Sequence, residues 1–186
     1  YLQPAEQSHL WIDYNWALYR LMERFSKEFP NVMAMLCAGG SGRVDYGALP
    51  YFHSFWPSDN TDPLGRIKIQ WGFSHFFPAS TISAHVTRMG KRHLKLAIDV
   101  ALSGAFGIDL ALDKATAEER VQIADAVKLY KASIRPLVMQ GELYRLVSPY
   151  EHPMASLSYV STDKNDAVVY LYQIQDGSVP QVILGG

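Results

Sequence analysis

Four short apolar runs, interleaved with stretches of helical periodicity, constrain this chain more than any other feature of its sequence. Val32–Cys37 and Phe52–Trp56 are too short for helices and end in loop-forming sequence, AGGSGR after the first and PSDNTDP after the second. Gly72–Phe77, closed by Pro78, and Phe106–Leu112 read as the third and fourth strands. Helical spacing fills the intervals. Ser8–Phe29 carries apolar residues at Leu10, Tyr14, Leu18, Leu21 and Phe25 and is stopped by Pro30. A second helix starts at Pro63, behind Thr61 or Asp62 as cap, and runs to about Gln70. Lys91–Ser103 sets Leu94, Ile98, Ala101 and Leu102 on one face, and Thr116-Ala-Glu-Glu119 is a capping box opening a helix to about Ile134. Four strand–helix pairs in a row predict a parallel sheet with right-handed crossovers, as in a barrel or a doubly wound fold.

After Pro136 the pattern changes. Leu143–Leu146, Ala155–Val160 and Ala167–Ile174 alternate or run apolar in β-forming residues, and Asp163-Lys-Asn-Asp166 makes a hairpin turn between the last two. These strands read as the start of an antiparallel domain.

Composition narrows the function classes. Seventeen basic and 18 acidic residues give a net charge of −1, with neither sign gathered into runs. A nucleic-acid surface is not expected, because phosphate neutralisation needs clustered Lys and Arg. The lone cysteine excludes an internal disulfide and an all-thiolate metal site. No apolar run approaches the roughly 18–20 residues of a membrane span, and the opening residues are not expected to act as a signal peptide. A soluble protein of the bacterial cytoplasm or periplasm is the expectation. Aromatic residues reach 12%, with four Trp and eleven Tyr, which suits a sugar-binding cleft and a core alike.

Two loops that follow predicted strands carry the chemistry, and barrel enzymes place catalytic groups in such loops. In Cys37-Ala-Gly-Gly-Ser-Gly-Arg43-Val-Asp45, three glycines let backbone approach a ligand closely. The spacing is not that of a phosphate loop. The alternative is a tight turn with Arg43 and Asp45 as a structural pair. In Trp56-Pro-Ser-Asp59-Asn-Thr-Asp62, a carboxylate beside an aromatic directly after a strand suits a general acid raised in pKa by partial burial. Helix capping is the competing reading, favoured for Asp62 and evenly balanced for Asp59. A dyad of Cys37 with His53, His75 or His85 lacks any cysteine-protease signature. The six His residues show no paired metal spacing. His85 could line the cleft, although an interior histidine is the preferred reading, and Trp56 could stack on sugar or belong to the core.

Together the two loops resemble the glycoside hydrolases of family 36, the bacterial and fungal α-galactosidases. That family carries Cys-Ser-Ser-Gly-Gly-Gly-Arg-Phe-Asp after its fifth barrel strand and Trp-Thr-Ser-Asp-Asn-Thr-Asp after its sixth. Here they stand as CAGGSGRVD (37–45) and WPSDNTD (56–62), at the family's separation. The likeness extends through FPASTISAHV (77–86), VALSGAFGIDLAL (100–112) and GELYRLVSPYE (141–151). Ala38, Ser41, Val44 and Pro57 depart from the pattern, which bears on substrate range rather than reaction class.

The resemblance implies an α/β chain forming the C-terminal half of a TIM (β/α)8 barrel over residues 1–136, then the start of an antiparallel β domain over 137–186. It implies that Asp59 is the general acid/base of a retaining hydrolase removing terminal α-linked galactose from oligosaccharides. Cys37 and the backbone at Gly40 would hold the sugar 2-hydroxyl, and Trp56 would line the substrate site. The nucleophile lies in a Lys-Trp-Asp segment after the family's fourth strand, and no Lys-Trp-Asp occurs here. Retention needs the two carboxyls about 5–5.5 Å apart, a separation that adjacent parallel barrel loops can supply. No cofactor or metal is implied, and the full-length protein is expected to be a homo-oligomer. Alternatives are an α-N-acetylgalactosaminidase, a galactosyl-transferring relative, or a non-catalytic carbohydrate-binding fragment.

Overall fold

The computed structural model describes residues 2–175, so residues 176–186 of the expected second domain lie outside the described part. A single turn, α1 (Pro4–Gln7), leads into α2 (Leu10–Glu28), whose outer face carries Arg24–Glu28 and Glu23–Lys27 pairs at 2.6 Å. The residue before a proline disfavours helical geometry, and α2 stops ahead of Phe29-Pro30. β1 (Met35–Leu36) pairs in parallel with β2 (Ser54–Phe55), and a parallel bridge from Phe55 to Ile82 carries the series on. β3 (Ser83–Val86) then pairs in parallel with β4 (Ala105–Ile108), His85 opposite Gly107. The four strands therefore lie side by side in chain order.

α3 (Pro63–Phe73) and α4 (Leu94–Ala101) run between these strands, and α5 (Ala117–Leu129) follows β4. Asp62, not Thr61, caps α3, accepting from the Gly65 N–H at 3.2 Å, with Pro63 in the first turn. The Thr61 hydroxyl instead meets Thr87 at 2.8 Å. Thr116 and Glu119 close the capping box of α5, at 3.2 and 3.0 Å.

Two expectations are corrected here. Gly72–Phe77 is not a strand: α3 runs on to Phe73, and the chain turns before the third strand forms at Ser83–Val86. Trp71 is buried on α3 and the Phe73 and Phe77 rings stack at 4.7 Å, so this aromatic segment packs as a helix end. The true strand is buried but interleaves Ser83 and His85 with its apolar residues, and so lacks a strong apolar signature. There are also three strand–helix pairs, not four. Turns fill residues 37–53 between β1 and β2, because Gly39, Gly40 and Ser41 all have left-handed φ, at 58°, 72° and 76°. Leu36, Ala48 and Phe55 form a small core under those turns, with Phe52, Phe73 and Phe77 against it.

The helix expected to end near Ile134 continues. Residues Tyr130–Ile134 form a π-turn in which the Arg135 N–H reaches back to the Tyr130 carbonyl, and α6 (Arg135–Gln140) follows. Pro136 has no N–H to give and its ring crowds the carbonyl four residues back. Widening the turn absorbs both problems, so the proline does not end the helix.

The remaining strands, β5 (Glu142–Val147), β6 (Met154–Val160) and β7 (Ala167–Gln173), make an antiparallel meander with β6 central and buried. The hairpin closes through Ser161 and Asp166, with Lys164 in left-handed geometry. This sheet shares one core with α3, α4, α5 and β3. Its tyrosines reach the end of α4: Tyr159, Tyr170 and Tyr172 donate to the carbonyls of Ser103, Leu102 and Asp99 at 2.7, 2.9 and 3.2 Å. The last carbonyls of a helix have no partner within it, and the phenols supply one. Burial raises all three phenols above the ordinary tyrosine value. No helix among the described residues is long and apolar enough to cross a membrane.

Candidate active site

The carboxyl ends of β1 to β4 open into a cleft of about 360 Å3 lined by Met35, Cys37, Trp56, His85, Ile108 and Asp109. β1 places Cys37 there: Leu36 is buried, and alternation turns the next side chain out, leaving the thiol exposed. β2 brings Trp56, whose backbone N–H donates to the Leu36 carbonyl at 2.9 Å and locks the two loops in register.

Gly40 is where those loops touch. Its φ of 72° lies in the left-handed region, and a Cβ there would stand 2.8 Å from Ser58 Cα and 3.0 Å from the Asp59 nitrogen. Only glycine lets the two backbones meet so closely. Ser41 adds a second tie, its hydroxyl donating to the Pro57 carbonyl at 2.7 Å.

Asp59 itself is exposed. The partial burial expected beside an aromatic is therefore not supplied by the described residues, because the loop projects past the strand ends. Its Oδ1 accepts from the Trp56 indole N–H at 3.0 Å. Helix capping falls to Asp62, which also meets Arg92 at 3.4 Å.

Of the two readings of the glycine loop, the one that pairs Arg43 with Asp45 is not what these side chains do. Each is taken by α2 instead. Asp45 Oδ2 accepts from the Tyr19 hydroxyl at 2.5 Å, while Arg43 lies over the Tyr14 ring at 6.0 Å. The bond to Asp45 pushes Tyr19 up to about 12.

Arg66 is the side chain that sequence reasoning missed. Only 3% exposed, it donates to the Ser58 and Ser83 carbonyls and to Gln70, and its guanidinium sits over the Trp56 ring at 5.3 Å. Loss of water pulls this arginine down to about 10. Its signal was available: Arg66 and Gln70 fall on the same helical face as the buried Trp71 side of α3. Asp109 was also passed over, although it follows a strand as Asp59 does.

His85, half-buried on β3, meets the Trp56 ring at 4.7 Å, with Gly107 beneath it where any Cβ would strike the imidazole. Burial lowers His85 below its ordinary value; Asp109 opposes that shift and Arg66 reinforces it. The other histidines weighed as partners for Cys37 lie elsewhere. His53 takes the Ala34 N–H on Nδ1 at 3.1 Å, and His75 sits edge-on to Trp71.

Four parallel strands in chain order, with Cys37, Gly40, Trp56 and Asp59 gathered where the loops after β1 and β2 meet, define an α/β protein with its cleft at the strand carboxyl ends. The melibiase family model matches residues 2–141, and the chain belongs to that family. Alpha-galactosidase AgaA of Geobacillus stearothermophilus is 37% identical over 179 residues, 93% of this chain and 24% of that protein. Alpha-galactosidase 1 of Pediococcus pentosaceus is 33% identical over 97% of this chain and 25% of its own length. The crystal structure of AgaA superposes with a TM-score of 0.88 at 37% identity, covering 96% of this chain and 26% of AgaA. Variants of AgaA have been solved in complex with raffinose and with stachyose. The chain spans about a quarter of the length of the relatives it matches.

Proposed function

We propose that this chain is part of a retaining α-galactosidase that removes terminal α-linked galactose from oligosaccharides of the raffinose and stachyose type. One observation carries the reading: Asp59 lies in the loop after β2, which packs against the loop after β1 at Gly40, and Trp56 and Cys37 of these two loops line the cleft. Asp59 is the general acid/base. Cys37 and the backbone at Gly40 hold the sugar 2-hydroxyl, and Trp56 forms one wall. The nucleophile is a second carboxylate contributed from outside these 186 residues. The parallel strands β1 to β4 with their helices are the C-terminal half of a (β/α)8 barrel. The antiparallel strands that follow α6 begin the next domain, which we take from residue 137.

The chemistry follows from that placement. In the first step Asp59 gives its proton to the glycosidic oxygen as the nucleophile attacks the anomeric carbon. In the second it takes a proton from water, which attacks the glycosyl-enzyme from the same side as the departed group.

Asp59→Ala in the full-length protein tests this. Alkoxide leaving groups need a proton, so raffinose turnover should fall by about 10²–10⁴-fold. A dinitrophenyl α-galactoside departs unaided, so its first step survives and only deglycosylation slows; kcat and KM drop together. Azide should restore turnover and yield the galactosyl azide of opposite anomeric configuration to the nucleophile adduct. Equal loss on both substrates without azide rescue would refute the acid/base assignment.

A further inference from the structure

Trp56 reads at first as a platform for a sugar ring. Its surroundings say otherwise. The guanidinium of Arg66 lies over the indole at 5.3 Å, and the His85 imidazole meets it at 4.7 Å with an interplanar angle of 56°. The backbone around it is also pinned: the Trp56 N–H donates to the Leu36 carbonyl at 2.9 Å, and the Ser41 hydroxyl donates to the carbonyl of the next residue, Pro57, at 2.7 Å. A ring fixed in this way has one polar atom, and that atom points at Asp59, with Nε1 3.0 Å from Oδ1.

We propose that Trp56 is the positioning residue for the acid/base, its indole N–H fixing Asp59 Oδ1 so that Oδ2 is the oxygen that exchanges protons. This rests on the acid/base reading of Asp59. An indole nitrogen can only donate, so the oxygen it bonds serves as acceptor, and the neutral acid carries its proton on the other oxygen. In the first step the Oδ2–H bond breaks as the glycosidic oxygen gains that proton and leaves with its bonding electron pair. In the second, Oδ2 recovers a proton from the attacking water. Asp59 is exposed and stands on a loop, so without this bond its carboxyl rotates freely about the terminal side-chain torsion. Arg66 makes the arrangement firm from both sides, because it holds the indole and also donates to the carbonyl of Ser58, the residue before the acid.

The test uses the full-length protein with position 56 altered in two ways. Trp56→Phe removes the N–H and part of the ring. Incorporating benzothienylalanine keeps the bicyclic shape and removes only the N–H. Each is assayed on raffinose and on a dinitrophenyl α-galactoside, with the first step of the latter followed as a burst. Both variants should lose about tenfold to a hundredfold in kcat on raffinose, the range for one hydrogen bond to a charged partner. KM should hold for the benzothienylalanine variant, which keeps the bicyclic wall of the cleft, and the dinitrophenyl burst should stay near the unmodified rate. A raised KM with kcat intact would make Trp56 a stacking platform and overturn the proposal. So would benzothienylalanine with full raffinose turnover, or equal losses on both substrates. The Asp59→Ala protein separates the two levels. If its own loss is not selective for raffinose, the acid/base reading fails. If it is selective and the Trp56 variants are not, only the positioning role fails.

Discussion

Replacing Gly40 by alanine should damage both stability and turnover, and the neighbouring Gly39 provides the control. Both residues have left-handed φ, 58° at Gly39 and 72° at Gly40, so alanine at either bears the backbone penalty of about 1–2 kcal/mol. They differ in what a new methyl would meet. At Gly39 nothing lies within 4 Å; at Gly40 the methyl would stand 2.8 Å from Ser58 Cα and 3.0 Å from the Asp59 nitrogen. Those are backbone atoms, so no side chain can rotate away. The loop must shift, at a further cost of about 1–3 kcal/mol by analogy with overpacking. The expected totals are about 2–5 kcal/mol for Gly40→Ala and about 1–2 kcal/mol for Gly39→Ala. In the full-length protein the Gly40→Ala melting curve should therefore lie below that of Gly39→Ala. The atom displaced belongs to Asp59, so kcat/KM on raffinose should fall at Gly40 by up to about a hundredfold, the usual effect of moving a catalytic group by an ångström. Gly39→Ala should leave kcat/KM nearly unchanged. If both variants melt together and lose activity together, the contact between the two loops is not what holds the acid in place.

Other expectations follow from individual contacts. The 186-residue chain alone should hydrolyse no galactoside and should self-associate in light scattering, because Trp11 and Met33 are 73% and 74% exposed; a monodisperse, active monomer would contradict this. Cys37→Ala in the full-length protein should reduce kcat/KM on galactosides by the equivalent of about 1–3 kcal/mol, with little effect on a 2-deoxygalactoside; equal losses would make the thiol a packing group. Tyr170→Phe should cost about 1–3 kcal/mol in thermal melts by stripping the Leu102 carbonyl of its partner in the core, whereas Tyr144→Phe, at an exposed site, should cost little. Arg88, and then the Thr116 N–H, hold Glu119 down to about 2 from an ordinary 4.5. Its contribution is therefore present above pH 4.5 and lost as pH falls toward 2. An acid titration followed by circular dichroism should show this loss at α5, and Glu119→Gln should remove it.

What the sequence determined unaided was whatever a few adjacent residues can decide. The Thr116–Glu119 box, the Asp62-Pro63 helix start, the turn at 163–166 and the two polar loops all rest on local hydrogen bonds or fixed dihedral preferences, and each is where it was expected. The tertiary structure decided the features whose partners lie far along the chain. β3 owes its place to Ala105–Ile108 and not to its own pattern, so an aromatic segment that packs as a helix end was the more strand-like in sequence. Pro136 stays within a helix because a π-turn and the core beneath it accommodate the ring. Arg66 earns no notice among 17 basic residues until folding buries it between Ser58, Ser83 and Trp56. The sequence could name Asp59 and Trp56 from their motif, but only the fold turned the indole N–H toward the carboxylate, since that orientation is set by Arg66 and His85 from two other elements.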